Sequence, residues 1–137
     1  MTPEAGRSLE RARQCLTRAR LILAAGVGED AGRAACLAAF HSAQALIFER
    51  TGTVAKTHRG VRSQFARLTR NEPRIDAELR GFLVEGYNLK SIADYEVGPD
   101  AVVPLDEAAA AIEIAACFVD RIAELMATAA RSEDREE

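Results

Sequence analysis

The sequence predicts an all-α protein, an antiparallel up-and-down helical bundle of about five helices. Three observations carry that reading. Apolar residues recur at three- and four-residue spacing in five separate runs. No run shows the strict alternation of a half-buried strand. Alanine dominates, aromatics make up 5% and tryptophan is absent, which favours closely packed helices over a sandwich or barrel.

The first helix is expected from about Pro3 to Ala25. Leu9, Ala12, Leu16, Ala19 and Leu23 form its stripe, and Gly26-Val27-Gly28 stops it. The second runs from about Glu29 to Arg50, with Leu37, Phe40, Ala43 and Ile47 inward and Gly52 as its stop signal. The third begins near Thr57, a suitable N-cap, carries Val61, Phe65 and Leu68, and ends before Asn71-Glu72-Pro73. The fourth is expected from about Pro73, a residue suited to a first helical turn, to Tyr95. Its seam reads Ile75, Leu79, Phe82, Gly86, Leu89 and Ala93. The fifth spans about Pro104 to Ala130. Leu105, Ala108, Ile112, Ala115, Val119, Ile122 and Met126 keep the spacing, and Asp106 and Glu107 suit the positive end of the helix dipole.

At 137 residues the chain is one domain by size, long enough to bury a core. The bundle is placed at 1–130, with 131–137 as a charged, disordered tail. The net charge of -3 makes no global demand for nucleic acid or membrane. Its distribution is uneven. Between Arg50 and Arg80, basic residues outnumber acidic ones, a local surface compatible with phosphate and also with a merely solvated face. Cys15, Cys36 and Cys117 lie in apolar patterns without metal-ligand spacing, so reduced, buried thiols are expected. The N-terminus has no charged-then-apolar leader, and the most apolar stretch, Ala108 to Val119, is too short to span a bilayer. A cytoplasmic protein with no membrane contact is expected.

The densest chemistry lies in Leu89-Lys90-Ser91-Ile92-Ala93-Asp94-Tyr95. On a helix, Tyr87, Lys90 and Asp94 share a face beside the apolar seam, where a groove or dimer interface can form. An ordinary ion pair with a half-buried tyrosine explains the same residues. His41 follows the inward Phe40 and is expected to flank the core as a structural histidine. His58 opens the third helix, where it can cap, bind an anion or exchange a proton. No HExxH, no glycine-rich phosphate loop and no cofactor motif occurs. A Ser-His-Asp triad drawn from Ser42, His41 or His58, and Asp94 has no support from spacing.

Three motifs occur in order: Ala38-Ala39-Phe40-His41-Ser42-Ala43-Gln44-Ala45-Leu46, Lys56-Thr57-His58-Arg59-Gly60-Val61, and Ala93-Asp94-Tyr95. Together they resemble HEPN-domain proteins, the small prokaryotic branch with a K-[ST]-H-x-G turn and an R-x-x-A-D-Y helix end, over roughly Pro3 to Ala130. The resemblance implies an all-α bundle, commonly a homodimer, often paired with a minimal nucleotidyltransferase in toxin–antitoxin modules. It also implies a metal-independent ribonuclease motif, Arg-x4-6-His, contributed by both subunits. A histidine there moves a proton while an arginine stabilises the charged phosphorane. This chain departs from that motif. Lys90 stands at the arginine position and keeps the charge without the bidentate fork. Tyr95, Glu96 and Val97 stand where the histidine would fall, and an unperturbed tyrosine, with a pKa of about 10, is a poor base at neutral pH.

Three readings follow. In the first, the chain binds RNA or nucleotide alongside a nucleotidyltransferase, with a degenerate ribonuclease motif. Lys90, His58, Arg59 and Arg62 contact phosphate, while Asp94 and Tyr95 orient Lys90. In the second it is a divergent ribonuclease toxin, with Lys90, Tyr95 and His58 as a composite catalytic site across a dimer. In the third it is a non-catalytic helical adaptor or assembly module. The resemblance also permits Tyr95 or Tyr87 to accept a nucleotidyl group from the partner.

Overall fold

The computed structural model describes residues 1–84 and 103–136. Within them the chain forms five helices and no strand: α1 (Pro3–Ala24), α2 (Gly28–Thr51), α3 (His58–Leu68), α4, described over 77–84, and α5 (Leu105–Glu136). The expected all-α bundle is therefore present.

Local chemistry sets most boundaries. The Thr2 hydroxyl accepts from the Ala5 N–H and Pro3 opens α1, so the first turn is capped and its missing donor costs nothing. α2 ends at Gly52, whose φ of +73° is readily reached only without a Cβ, and whose N–H donates to the Phe48 carbonyl at 2.8 Å. Thr57 caps α3 by accepting from the Gly60 N–H at 2.9 Å.

Two boundaries differ from expectation. α4 begins at Ala77, not at Pro73. The Asp76 carboxylate accepts from the Leu79 N–H at 2.9 Å and caps the helix there. Upstream, Glu72 accepts from both the backbone N–H and the guanidinium of Arg74, which holds 72–75 as a turn. At the other end, α5 continues through Glu136, so the backbone of 131–136 is helical with no break at the tail boundary.

α2 is the central element. It packs most extensively on α1, then on α5 and α3. Ala31, Ala35, Ala38, Ala39, Ala43 and Ala45 are buried around it, as are Leu46 and Ile47. Small side chains let neighbouring helices approach closely, so α2 buries much of its circumference where a single inner face is expected. Leu37 and Phe40, read as inward, sit half-buried at the edge of this core. On α1 the buried line is Ala5, Leu9, Ala12, Cys15 and Ala19, with Leu16 and Leu23 only partly covered. α5 contributes Ala108, Ile112, Ala115, Phe118, Val119, Ile122, Leu125 and Met126, while Leu105 is exposed. α3 joins the core through Val61 and Phe65, whose ring lies 5.2 Å from that of Phe118.

The α2 N-terminus meets the entry to α5 at van der Waals distance. A Cβ on Gly28 would sit 2.1 Å from the Val103 carbonyl oxygen, and Val103 is itself buried. Gly28, read as part of the stop signal, is thus the first residue of α2 and a contact point. The cysteines are free, with Cys15 and Cys36 buried and Cys117 half-buried. Burial pushes the Cys15 thiol up against the opposing pull of Arg18 and Arg11. No helix among the described residues is long and apolar enough to cross a membrane.

Candidate functional site

Of the expected site residues, His58, Arg59 and Arg62 fall within the described part of the chain. Tyr87, Lys90, Asp94 and Tyr95 lie outside the described residues.

The described chemistry centres on the junction of α2 and α3. The loop from Thr53 to Thr57 is pinned to α2 because the Gln44 side-chain amide donates to the Ala55 carbonyl at 2.8 Å. Ala55 itself is buried. That anchor, followed by the Thr57 cap, delivers His58 as the first residue of α3. Its imidazole lies against Phe40 of α2, with centroids 4.5 Å apart and planes tilted by 44°. Phe40 also meets the ring of His41, edge-on at 5.8 Å. Two imidazoles are therefore brought to one phenyl ring, and all three are half-buried.

His41 is held by a short relay. The Gln44 amide nitrogen donates to Ala55, which turns the amide oxygen towards His41 Nδ1 at 3.1 Å. That oxygen can only accept, so Nδ1 carries the hydrogen of the neutral ring. Burial holds the His41 pKa below its usual value. The Gln44 bond acts in the opposite sense, and the Arg11 guanidinium on α1 reinforces burial. The expectation of a structural histidine flanking the core agrees with its burial and its bond to Gln44. The relay itself is the feature that sequence reading missed. Its available signal is the three-residue spacing of His41 and Gln44, which places them on one helix face.

Ser42 is fully buried and its hydroxyl donates to the Ala39 carbonyl at 2.9 Å, within its own helix.

The basic run divides into two groups. Arg74 contacts Glu72 and reaches Thr128 of α5 at 3.1 Å, fastening the α3–α4 turn to the bundle. Glu72 has its carboxyl held below the usual range, first by the Arg74 guanidinium and then by the Arg74 backbone N–H. Arg80 of α4 donates to the hydroxyl of buried Thr69 at 2.9 Å and also to its carbonyl, tying α4 to the end of α3. Lys56, Arg59, Arg67 and Arg70 are exposed. Arg62 is half-buried and borders a cleft between α3 and α4 of about 110 Å³, floored by Phe65 and Leu83 and rimmed by Arg80. Among the described residues no group of three or more His, Cys, Asp or Glu is placed to hold a metal ion.

The described site is thus a half-buried aromatic and imidazole ledge at the N-terminus of α3, with Lys56 and Arg59 on either side of His58 in the chain. Its exposed cations can attract an anion, and its rings present aromatic surface beside them. The HEPN domain family matches residues 5–125. In three dimensions the chain is similar to TT1696 from Thermus thermophilus, with a TM-score of 0.74 and 25% identity over 90% of this chain and 98% of that one. No curated protein matches the chain.

Proposed function

This chain belongs to the HEPN domain family, and on that footing we propose that it is an RNA- or nucleotide-binding component of a toxin–antitoxin-type module, working with a minimal nucleotidyltransferase. In this reading the ribonuclease motif is degenerate, because Lys90 replaces its arginine and no histidine stands five to seven residues beyond. The chain acts as a homodimer in the cytoplasm. His58, Arg59, Arg62 and Lys90 contact phosphate, Tyr87 borders them, and Asp94 and Tyr95 orient Lys90.

One observation carries the reading furthest. His58 is stacked on Phe40 at the capped start of α3, beside the exposed cations Lys56 and Arg59. Stacking surfaces beside cations suit single-stranded nucleic acid, since every base has a face and every linkage a charge. The two arginines that serve as structural ties, Arg74 and Arg80, are not needed for this role.

The test is binding of a fluorescent single-stranded RNA at low and moderate salt. Affinity should fall as salt rises, and Lys90→Ala with Arg62→Ala should weaken binding and flatten that dependence. Unchanged affinity in the double variant would refute the phosphate-contact assignment. A second reading, a divergent metal-independent ribonuclease, draws on the placement of the His58 imidazole beside this ledge. It requires RNA cleavage by the purified protein in chelator, lost in both His58→Ala and Lys90→Ala.

A further inference from the structure

The His41 relay gives the α2–α3 ledge a property that its cations lack. Lys56 and Arg59 can only donate hydrogen bonds. With Nδ1–H committed to Gln44, neutral His41 has one remaining polar capability, the lone pair on Nε2. Nε2 makes no hydrogen bond to the described residues. The imidazole is half-buried beside the ring of Phe40, which is shared with His58. Among the described residues the charged group acting on it is Arg11 of α1, whose charge opposes protonation, while His58 of α3 meets the shared ring of Phe40.

A surface that pairs cationic donors with an oriented acceptor has a specific complement. A sugar–phosphate backbone offers oxygens that accept from the cations. In DNA that backbone carries no hydrogen-bond donor. In RNA it carries one per nucleotide, the 2′-hydroxyl, adjacent to the phosphate. We propose that His41 Nε2, oriented by the Gln44–Ala55 relay, accepts a hydrogen bond from a ribose 2′-hydroxyl and makes this face selective for RNA over DNA. The inference rests on the RNA-binding reading above and deepens it. His41 contacts the ligand, and Gln44 is the positioning residue that sets its tautomer.

The experiment compares binding of RNA and DNA oligonucleotides of one sequence to the full chain, to His41→Ala and to His41→Phe, which keeps ring volume without an acceptor. The full chain should prefer RNA by about five- to tenfold, the yield of one well-made hydrogen bond. Both variants should lose that preference through weaker RNA binding, with DNA binding unchanged. Arg59→Ala should weaken both ligands alike. Nitrogen NMR of the unliganded protein should find His41 as the Nδ1–H tautomer. An Nε2–H tautomer, or an RNA preference that survives in both His41 variants, would overturn the proposal while leaving RNA binding intact. Failure of the full chain to bind RNA even at low salt would instead refute the broader reading, and this inference with it.

Discussion

Gly28 and Gly81 pose one substitution in two environments, and the structure assigns the results opposite signs. In Gly28→Ala the new Cβ would lie 2.1 Å from the Val103 carbonyl oxygen, 3.2 Å from its carbonyl carbon and 3.6 Å from the Pro104 carbonyl carbon. All three are backbone atoms, so no side-chain rotation relieves the contact. The start of α2 and the entry to α5 must move apart by about an ångström in a region packed on buried Val103 and Ala31. Overpacking of this kind costs roughly 1–3 kcal/mol. The helix-propensity gain of alanine over glycine, at most about 1 kcal/mol in a helix interior, is smaller at the first helical position. A net loss of up to about 3 kcal/mol follows, a fall of about 4 °C in Tm per kcal/mol for a chain of this size. At Gly81 a Cβ meets nothing within 4 Å, and the residue lies inside α4. Gly81→Ala should therefore raise stability by about 0.5–1 kcal/mol. Urea denaturation of the parent and both variants, with constant m-values, measures both signs. If Gly28→Ala matches or exceeds the parent in stability, the close approach of α2 to Val103 is refuted. If Gly81→Ala destabilises, the environment assigned to α4 is wrong.

Two further perturbations probe the ties between distant segments. Gln44→Leu removes the donor to Ala55 and the acceptor for His41 together. It should cost about 1–3 kcal/mol by leaving the buried Ala55 carbonyl unsatisfied, and should speed amide exchange across 53–57 before the rest of the protein. Glu49 accepts from the backbone N–H and hydroxyl of Thr2, at 2.9 and 3.1 Å. Burial pushes its carboxyl up, but these bonds and the terminal amine outweigh it and leave the pKa below the usual 4.5. The folded state thus binds the Glu49 proton less readily than the unfolded chain does. Its contribution is complete above the unfolded value and is lost as pH falls through the folded one. Glu49→Gln should lower stability at pH 7 and reduce the acid sensitivity seen in pH-dependent melting. An unchanged acid limb would show that the α1–α2 tie contributes nothing.

The site was legible in part. The Thr57 cap and the placement of His58 at the start of α3 follow from a local pattern in which threonine accepts from the N–H three residues on. Hydrogen bonds of this range depend on nearby residues alone, and the sequence contains them all. The same is true of the Gly52 stop and of the apolar spacing that identifies the helices. Even local signals compete, however. Pro73 and Asp76 are both good helix starters, and Asp76 prevails because Arg74 is drawn into a turn by Glu72 and held there by Thr128 of α5.

By itself, then, the sequence determined the fold class, the helices and most of their ends, because periodicity and capping act over a few residues. Tertiary structure alone decided that α2 lies at the centre, since a face rich in alanine can be a surface or a seam until neighbours close on it. It alone separated the tying arginines Arg74 and Arg80 from exposed Arg59, because identical guanidiniums differ only in what packing brings within reach. It alone set His58 against Phe40 and oriented His41 through Gln44 and Ala55. The Gln44–Ala55 and Phe40–His58 contacts join residues 11 and 18 positions apart on different elements, and no local pattern specifies which faces will meet.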